Sequence, residues 1–382
     1  MSYLNILIVG VLSAGVVVSV FYLVKHLVSL YNRRKVPKRL ALTLTLDRHE
    51  NNPIIQPKPY SGWETVGTFN PAAIEDDEGF VHLFYRAIGD DGVSRIGHAK
   101  SKDGSGLKFE YRTSYPIFDS RPVSSPMDTG NSTFTPKYYE PGIYTSGGSW
   151  GGCEDPRAVV IDGRVYMTYT AFEGWHSVRI ALTSISMEDL KAGKWNWKKP
   201  KYVSALGQTN KNWLIFPEKV NGKYAILHTI VPKVLIEYVD SLDTLSGNIE
   251  SPRLEGPQPG RIDSWDNIIR GGGPPPIKTK IGWLLLYHAI DKKEWNRYKL
   301  GAMILDLKDP TKILYRSSAP ILAPDASYEN DGKPGVVYAS GALVLNDDLF
   351  VYYGGGDKTV CVAKTPLKPL LAWLKKYGRV DF

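Results

Sequence analysis

Three charged residues stand together near the middle of the sequence. Residues 151–157 read GGCEDPR and place Glu154, Asp155 and Arg157 between a glycine-rich stretch and an aliphatic run. Pro156 fixes its own φ and lacks an N–H group, so it fits best where a strand begins. The trio is therefore predicted at a strand entrance beside a loop, where catalytic groups are usually held. An ordinary surface ion pair between Asp155 and Arg157 is the competing interpretation.

Carboxylates at a strand entrance can serve chemistry at the anomeric carbon of a sugar. Such chemistry needs a proton donor for the leaving oxygen and a nucleophile on the other face of the ring. Glu154 and Asp155 are neighbours on extended chain, so their side chains point to opposite sides. They therefore do not form a simple two-carboxylate pair. Two further acids, Glu218 and Asp357, are predicted near strand entrances.

Basic residues that can hold an anion also lie at predicted strand ends: Arg86, Arg157, Lys211, Arg270 and His288. Each has an alternative interpretation as an ordinary ion pair or a hydrogen-bonded core histidine. Their positions at equivalent ends of different repeats favour a functional role. The sequence contains no P-loop, dinucleotide-binding turn, HExxH or GxSxG motif. No metal site and no cofactor are predicted.

The elements that would position these residues form a repeat. Five similar β-rich runs each follow a turn, at residues 81–87, 165–171, 224–229, 283–289 and 350–355. Each has an upstream partner strand with Pro or Gly at its entrance. Five units of roughly sixty residues predict an all-β fold, a five-bladed propeller. One or two β-sandwiches with chance similarity among the runs are the alternative.

A propeller would bring distant residues to one mouth. The entrance loops of its innermost strands would gather Asn70, Asp155, Asn212, the glycines at 271–273 and Tyr338. Residues 113–150 are rich in Ser, Pro, Gly, Thr and Tyr and lack periodicity. They are predicted to form a long loop over that mouth.

The N-terminal residues suggest a membrane anchor. Residues 6–24 are nineteen uncharged, mostly apolar residues, about the length that spans a bilayer core. Six basic residues and no acid follow between 25 and 39, which predicts a single-pass anchor with the rest of the chain in the cytoplasm. A buried core helix or an uncleaved leader is the alternative. The predicted organisation is an anchor at 1–24, a basic linker at 25–49, the propeller at 50–370 and a partly helical tail at 371–382.

Net charge and cysteine content narrow the possible functions. The 382 residues carry a formal charge of +8, but the six basic residues near the N-terminus account for most of it. The protein is therefore not interpreted as a nucleic-acid binder. The two cysteines, Cys153 and Cys361, give neither a disulfide nor a metal signature.

Several motifs resemble glycoside hydrolase family 130, the β-mannoside phosphorylases and related hydrolases. The segments that carry the resemblance are NPA at 70–72, YRA at 85–87, GDDGVSRIG at 89–97, CEDPR at 153–157, KNWLIFPEK at 211–219, GGGPPPIKT at 271–279, GWLLLYH at 282–288 and GGGD at 354–357. They cover almost all of the chain beyond residue 50. CEDPR, KNWxxFPEK and GPPPIKT in this order are a specific combination. The family fold is a five-bladed propeller.

The resemblance implies a role for each candidate residue. Asp155 would be the single acidic catalyst and would protonate the glycosidic oxygen through a hydroxyl of the bound mannose. Inorganic phosphate, as co-substrate, would attack the anomeric carbon from the opposite face and give α-mannose 1-phosphate. The resemblance further implies two sets of binding residues. Asn70, Arg86, Glu154, Arg157 and Asp357 would bind or position the sugar, whereas Lys211, Asn212, Arg270 and His288 would bind phosphate.

The sequence departs from the family pattern at the expected phosphate site. Many relatives have a lysine where this chain has Ile269, next to Arg270, and an arginine where it has Lys211. Arginine and lysine are not equivalent at a bidentate site. Two alternatives therefore stay open: an inverting β-mannosidase in which a carboxylate such as Glu218 activates water, and a non-catalytic carbohydrate-binding propeller.

Overall fold

The computed structural model describes residues 43–119, 146–173, 177–245, 247, 249–250 and 264–378. Residues 44–382 form one compact unit, and the preceding residues are assigned to a separate one. The predicted anchor, and most of the predicted linker, lie outside the described residues.

Short antiparallel strands make up most of the described chain. In chain order they are β1 (Asp47–Arg48), β2 (Gly67–Glu75), β3 (Val81–Ile88), β4 (Val93–Lys100), β5 (Tyr111–Arg112), β6 (Gly151–Ile161), β7 (Arg164–Phe172), β8 (Val178–Ser186), β9 (Lys201–Tyr202), β10 (Leu214–Ile215), β11 (Tyr224–Thr229), β12 (Leu235–Val239), β13 (Ile268–Gly272), β14 (Ile277–Thr279), β15 (Gly282–Ile290), β16 (Lys299–Leu305), β17 (Ile313–Arg316), β18 (Val337–Leu345), β19 (Asp348–Gly355) and β20 (Thr359–Pro366).

The strands group into five antiparallel units in chain order. The first four units are β2–β5, β6–β9, β10–β12 and β13–β17. The fifth is β18–β20, whose outer edge is completed by β1 from the start of the described chain. The first two units also share one sheet, because β4 and β6 pair in parallel over two residues. Residues 47–48 therefore belong to the fifth unit, although the sequence placed them in the linker.

The five units form a closed ring of blades, because each packs on the next through its own apolar cluster. The clusters lie between blades 1 and 2, 2 and 3, 3 and 4, 4 and 5, and 5 and 1. Phe84 and Met167 belong to the first of these clusters, and Leu83 and Tyr352 to the last. A twisted sheet buries both faces in this arrangement, which a single sixty-residue unit cannot do alone.

The predicted fold class, an all-β propeller preceded by a transmembrane helix, needs correction. The described residues include two α-helices, α1 (Met187–Lys191) and α2 (Leu367–Tyr377). Leu370, Trp373 and Leu374 of α2 are spaced for one helical face and pack between blades 4 and 5. No described helix is long and apolar enough to cross a membrane. Eleven residues reach only about 16 Å at helical rise, roughly half a bilayer core.

A buried clasp of tyrosine, acid and arginine recurs in three blades. In blade 4 the Tyr287 hydroxyl donates to Asp266 (2.7 Å), and Arg316 pairs with Asp266 (2.7 Å). Blade 1 repeats this with Tyr85, Glu64 and Arg112; blade 5 does so with Tyr353, Glu329 and Arg48. In each, the tyrosine lies on the second strand and the arginine on the outermost strand. The clasp ties the blade's outer edge to the chain that precedes its inner strand.

Bulges on the inner strands aim side chains at the mouth. The pairing register shifts at residues 70–71, 155–156, 270 and 340, in blades 1, 2, 4 and 5. Asn70 and Asp155 both have φ of 48°, in the left-handed region, although each precedes a proline that disfavours helical conformations. Strain of this kind persists where the surrounding structure over-determines it, and bulges often re-aim a side chain at a site.

Candidate active site

One cavity of about 270 Å³ lies where the inner strands and their loops converge. All five blades, or the loops that enter them, contribute to it. Its lining residues are Asn70, Arg86, Ser146, Gly147, Asp155, Thr209, Lys211, Asn212, Arg270, Tyr298, Lys333, Val336, Tyr338 and Asp357. Seven of the ten sequence-predicted site residues are among them. The other three, Glu154, Arg157 and His288, are buried behind this wall.

Asp155 is a buried carboxylate with one oxygen occupied by the protein. Its Oδ1 accepts hydrogen bonds from the Asn70 amide (2.7 Å) and from Arg86 Nη1 (3.2 Å). No described residue donates to Oδ2, while Asp155 lines the cavity. Burial by itself would raise the pKa of Asp155, but the charges of Arg86, Lys211 and Arg157 outweigh it and lower the pKa to about 2. At neutral pH the Asp155 carboxylate is therefore ionised.

Glu154 anchors the groups around Asp155 without reaching the cavity. It is fully buried and accepts from Arg86 Nη2 (3.1 Å), Ser149 Oγ (2.8 Å) and Ser146 Oγ (2.6 Å). Lys211 Nζ lies 3.1 Å from its second oxygen. The strand alternation expected from the sequence does not apply here, because Asp155 has a left-handed φ at a bulge; Arg86 bonds to both carboxylates, but only Asp155 lines the cavity. Its geometry is that of a positioning residue and not of a sugar ligand.

Arg157 braces the base of the cavity from beneath. It donates to the carbonyl oxygens of Asp155 (2.8 Å) and Gly273 (2.8 Å). Its Nη2 also donates to Asn212 Oδ1 (2.9 Å) and to the Tyr338 hydroxyl (3.1 Å). Arg157 thus joins blade 2 to blades 3, 4 and 5. The competing interpretation of a surface pair with the Asp155 carboxylate is wrong, because the contact runs to the Asp155 carbonyl.

The wall formed by blades 4 and 5 is basic. Arg270 Nε donates to the Tyr298 hydroxyl (2.8 Å), and Lys333 Nζ lies 3.4 Å from Asp357 Oδ2. Both cations lie over the Tyr298 ring, at 5.5 and 5.8 Å from its centre. This wall therefore presents two positive charges, together with the single carboxylate of Asp357, toward the cavity.

His288 does not reach the cavity as a ligand. Its ring is fully buried and stacks on Tyr338 with 4.2 Å between ring centres. Nε2 accepts the Ala339 N–H (2.9 Å), so this nitrogen is unprotonated. Burial and then the charge of Arg157 lower the pKa of His288 to about 3. A neutral imidazole beneath Tyr338 supports that ring and offers no positive charge to an anion.

Two further residues that the sequence singled out, Glu218 and Ile269, do not line the cavity. Glu218 is half exposed and pairs with Lys278, and it is absent from the cavity wall. It therefore has no position from which to activate a water molecule there. Ile269 is buried in the cluster between blades 3 and 4, whereas its neighbour Arg270 lines the cavity.

Sequence reasoning missed several lining residues. Ser146 and Gly147 belong to the predicted loop at 113–150, and their place at the mouth agrees with that prediction for the described part of the loop. Thr209, Tyr298 and Lys333 lie in loops between or within blades and carry no motif. The sequence could have indicated these loops only through the repeat, because a ring of five blades brings loops from each blade to one mouth.

Comparisons with known proteins agree on one family. A family model described as beta-1,4-mannooligosaccharide phosphorylase, of glycoside hydrolase family 130, matches residues 131–376. The 1,2-beta-oligomannan phosphorylase of Thermoanaerobacter sp. (strain X514) is 36% identical over 338 residues, covering 86% of this chain and 99% of that protein.

Solved structures are similar over the same region. The beta-1,2-mannobiose phosphorylase from Listeria innocua, in complex with beta-1,2-mannobiose, has a TM-score of 0.64 at 26% identity and covers 87% of this chain and 100% of its own. A second structure, described as showing that this family of mannoside phosphorylases contains hydrolases of beta-1,2 mannosidic linkages in Candida mannan, also has a TM-score of 0.64. Its identity is 26%, with 85% of this chain and 94% of that chain covered.

Proposed function

Because the chain belongs to glycoside hydrolase family 130, we propose that it is a β-mannoside phosphorylase that uses Asp155 as its acid and inorganic phosphate as its nucleophile. It is an enzyme of β-mannoside phosphorolysis, as its relatives are by name. The product is α-mannose 1-phosphate, formed with inversion at the anomeric carbon.

The observation that carries this proposal is the cavity's charge. Two carboxylates, Asp155 and Asp357, line the cavity together with four cations, and Asp357 is already paired with one of them, Lys333 (3.4 Å). A second carboxylate is needed to activate water, but a phosphate anion is already a nucleophile. Positive charges fixed around the attacking anion also stabilise the transition state in a site that excludes water.

The proposed roles divide the cavity between sugar and phosphate. Asn70, Arg86 and Asp357 hold the mannosyl unit, and Asn70 Oδ1 is buried with no hydrogen-bond partner among the described residues. Lys211, Asn212 and Arg270 hold phosphate. Glu154 and Arg157 position these groups from behind, and His288 supports Tyr338.

The chemical step balances with one proton. A phosphate oxygen forms the bond to the anomeric carbon while the glycosidic bond breaks, and its electron pair goes to the leaving oxygen. That oxygen takes a proton from Asp155 by way of a mannose hydroxyl, and the proton of hydrogen phosphate restores the acid afterwards. Asp155 must be protonated first, so bound phosphate has a second role. Its negative charge offsets the cations that lower the pKa of Asp155.

We further propose that the scissile linkage is β-1,2. This rests on two relatives, which are by name phosphorylases of β-1,2-oligomannan and of β-1,2-mannobiose. The test incubates the full-length chain with β-1,2-mannobiose and, separately, β-1,4-mannobiose, with and without phosphate. Mannose 1-phosphate is expected from the β-1,2 substrate in the presence of phosphate alone. Free mannose released at the same rate without phosphate would reject phosphorolysis.

A hydrolase is the second candidate, since one similar structure is described in terms of hydrolases and Ile269 replaces a cation of the family pattern. Its water-activating carboxylate would have to be Asp357, because Glu218 pairs with Lys278 outside the cavity. The omission of phosphate in the same assay decides between the two activities.

A further inference from the structure

Lys333 is a cation of the cavity that no motif identifies. It lies in the chain between blades 4 and 5, eight residues after Asp325 and four before the inner strand β18. Its side chain is half exposed and reaches the same cavity as Asp155. The family resemblance assigned it no role.

The backbone holds Lys333 firmly beside the sugar-binding half of the site. Its N–H donates to the Gly356 carbonyl (2.7 Å), in the turn that carries Asp357. The preceding Gly332 has φ of 117°, and a Cβ there would lie 2.5 Å from the same carbonyl. Only glycine allows this close approach, so the chain before Lys333 is docked on the Asp357 turn.

The side chain has one acidic partner and one cationic neighbour. Nζ lies 3.4 Å from Asp357 Oδ2, a distance too long for a short charge-assisted hydrogen bond. The cationic neighbour is Arg270, which also lies by the Tyr298 ring and forms no ion pair with any carboxylate of the described residues. Two cations therefore lie by the Tyr298 ring, and Asp357 is paired with only one of them, which leaves an excess of positive charge on this wall.

We propose that Lys333 is a phosphate-binding residue that, with Arg270, forms a two-cation clamp around Tyr298. The proposal rests on the proposed phosphorolysis. When mannose hydroxyls donate to Asp357, they replace Lys333 as its partner, and the ammonium turns to the anion. A lysine suits this exchange, since its ammonium is a point charge on a flexible stem. The clamp completes an anion site whose third cation is Lys211 in blade 3.

The test measures binding of inorganic phosphate to the full-length chain by calorimetry, and then steady-state kinetics. Lys333→Met is expected to weaken phosphate binding about tenfold or more, the size of one charge-assisted hydrogen bond, and to raise KM for phosphate equally. KM for the mannoside is expected to stay within about twofold. Lys333→Arg is expected to recover most of the affinity.

Lys358→Met is the matched control. Lys358 follows Asp357 directly and pairs with Asp331 (3.1 Å), outside the cavity wall. Its substitution removes the same charge from the turn on which Lys333 is docked and is expected to leave phosphate affinity unchanged. Equal losses in both variants would reduce the effect to general electrostatics and overturn the proposal.

Two other results overturn it as well: wild-type phosphate affinity in Lys333→Met, or a rise confined to the mannoside KM. A thermal melt of each variant shows that it is folded before affinities are compared. Failure of the proposed function is distinguishable, because it appears as phosphate-independent turnover by the unaltered chain. Calorimetry on Lys333→Met still decides whether the anion site includes Lys333.

Discussion

The molecule buries two kinds of ionic network, and they differ in what they leave open. In the blade 4 clasp, Arg316, Asp266 and Tyr287 are each at most 2% exposed and bond to one another. At the mouth, Asp155 and Arg86 are almost as deeply buried. There, Asp155 lines the cavity, and no described residue donates to its Oδ2.

The contrast separates stability from function. Burying a charge costs several kcal/mol of desolvation free energy. In a clasp, this cost is offset by partners that all belong to the protein. The mouth also pairs its charges, but Asp155 is held in a left-handed conformation at the cavity wall, and no described residue donates to its Oδ2. Similar residue types therefore stabilise a blade in the clasp and form a reactive site at the mouth.

The largest expected effect is the loss of catalysis on removing the mouth's acid. Asp155→Asn keeps the side chain's volume but cannot donate a carboxylic proton, so kcat is expected to fall at least about 10³-fold. The free energy of unfolding is expected to change by less than about 1 kcal/mol, because Arg86 keeps Glu154 as a partner. Steady-state assays and urea unfolding check the two parts. Turnover that survives the substitution would remove Asp155 from the mechanism.

The converse effect is expected in the clasp. Arg316→Met leaves Asp266 buried without its guanidinium, and the free energy of unfolding is expected to fall by about 3–5 kcal/mol. The kcat of the folded fraction is expected to stay unchanged. The double variant Arg316→Met/Asp266→Asn removes both charges and is expected to recover part of the loss in urea unfolding. If the variant keeps its stability but loses kcat, the clasp contributes to catalysis rather than to stability.

A smaller effect concerns pH, since His288 lies at the mouth but is closed off like a clasp residue. Its pKa is about 3 when folded and about 6.5 when unfolded, so the unfolded chain binds more protons between these values. Its contribution to stability is full above about pH 6.5 and is lost as the pH falls toward 3. Burial also lowers the pKa of His82, His98 and His228, which act in the same direction.

The His288→Gln variant isolates the part of this pH-dependent stability that comes from His288. Gln retains an acceptor for the Ala339 N–H and does not titrate. The difference in unfolding free energy between pH 7.5 and pH 5 is expected to be smaller in the variant than in the unaltered chain. If the two proteins show the same difference in unfolding free energy between these pH values, measured by urea unfolding, His288 titrates normally.

Much of the ring followed from sequence, because each blade repeats a turn followed by an apolar strand. The two-residue strand β1 was missed, since its pairing with β20 spans the whole propeller and short strands carry no pattern. The clasps were missed for the same reason: Arg48 and Glu329 are far apart in the chain.

At the site, motifs predicted which residues converge but not how deeply each is buried. Glu154, Arg157 and His288 stand in matching segments, yet all three lie behind the wall. A bulge that the sequence does not show gives Asp155 its place on the wall, and the stacking of His288 on Tyr338 depends on a neighbouring blade. Lys333 belongs to no motif, because a loop docked by one glycine contact has no periodic signal.

At the mouth of the ring, phosphate and not water is the proposed nucleophile, and it attacks the anomeric carbon from the face opposite the leaving group. Proton NMR of the full-length chain acting on β-1,2-mannobiose in phosphate buffer follows the anomeric signals from the first turnover. The expected first product is α-mannose 1-phosphate, with its signal split by phosphorus. Initial release of β-mannose 1-phosphate, or of free mannose with no sugar phosphate, would contradict the mechanism.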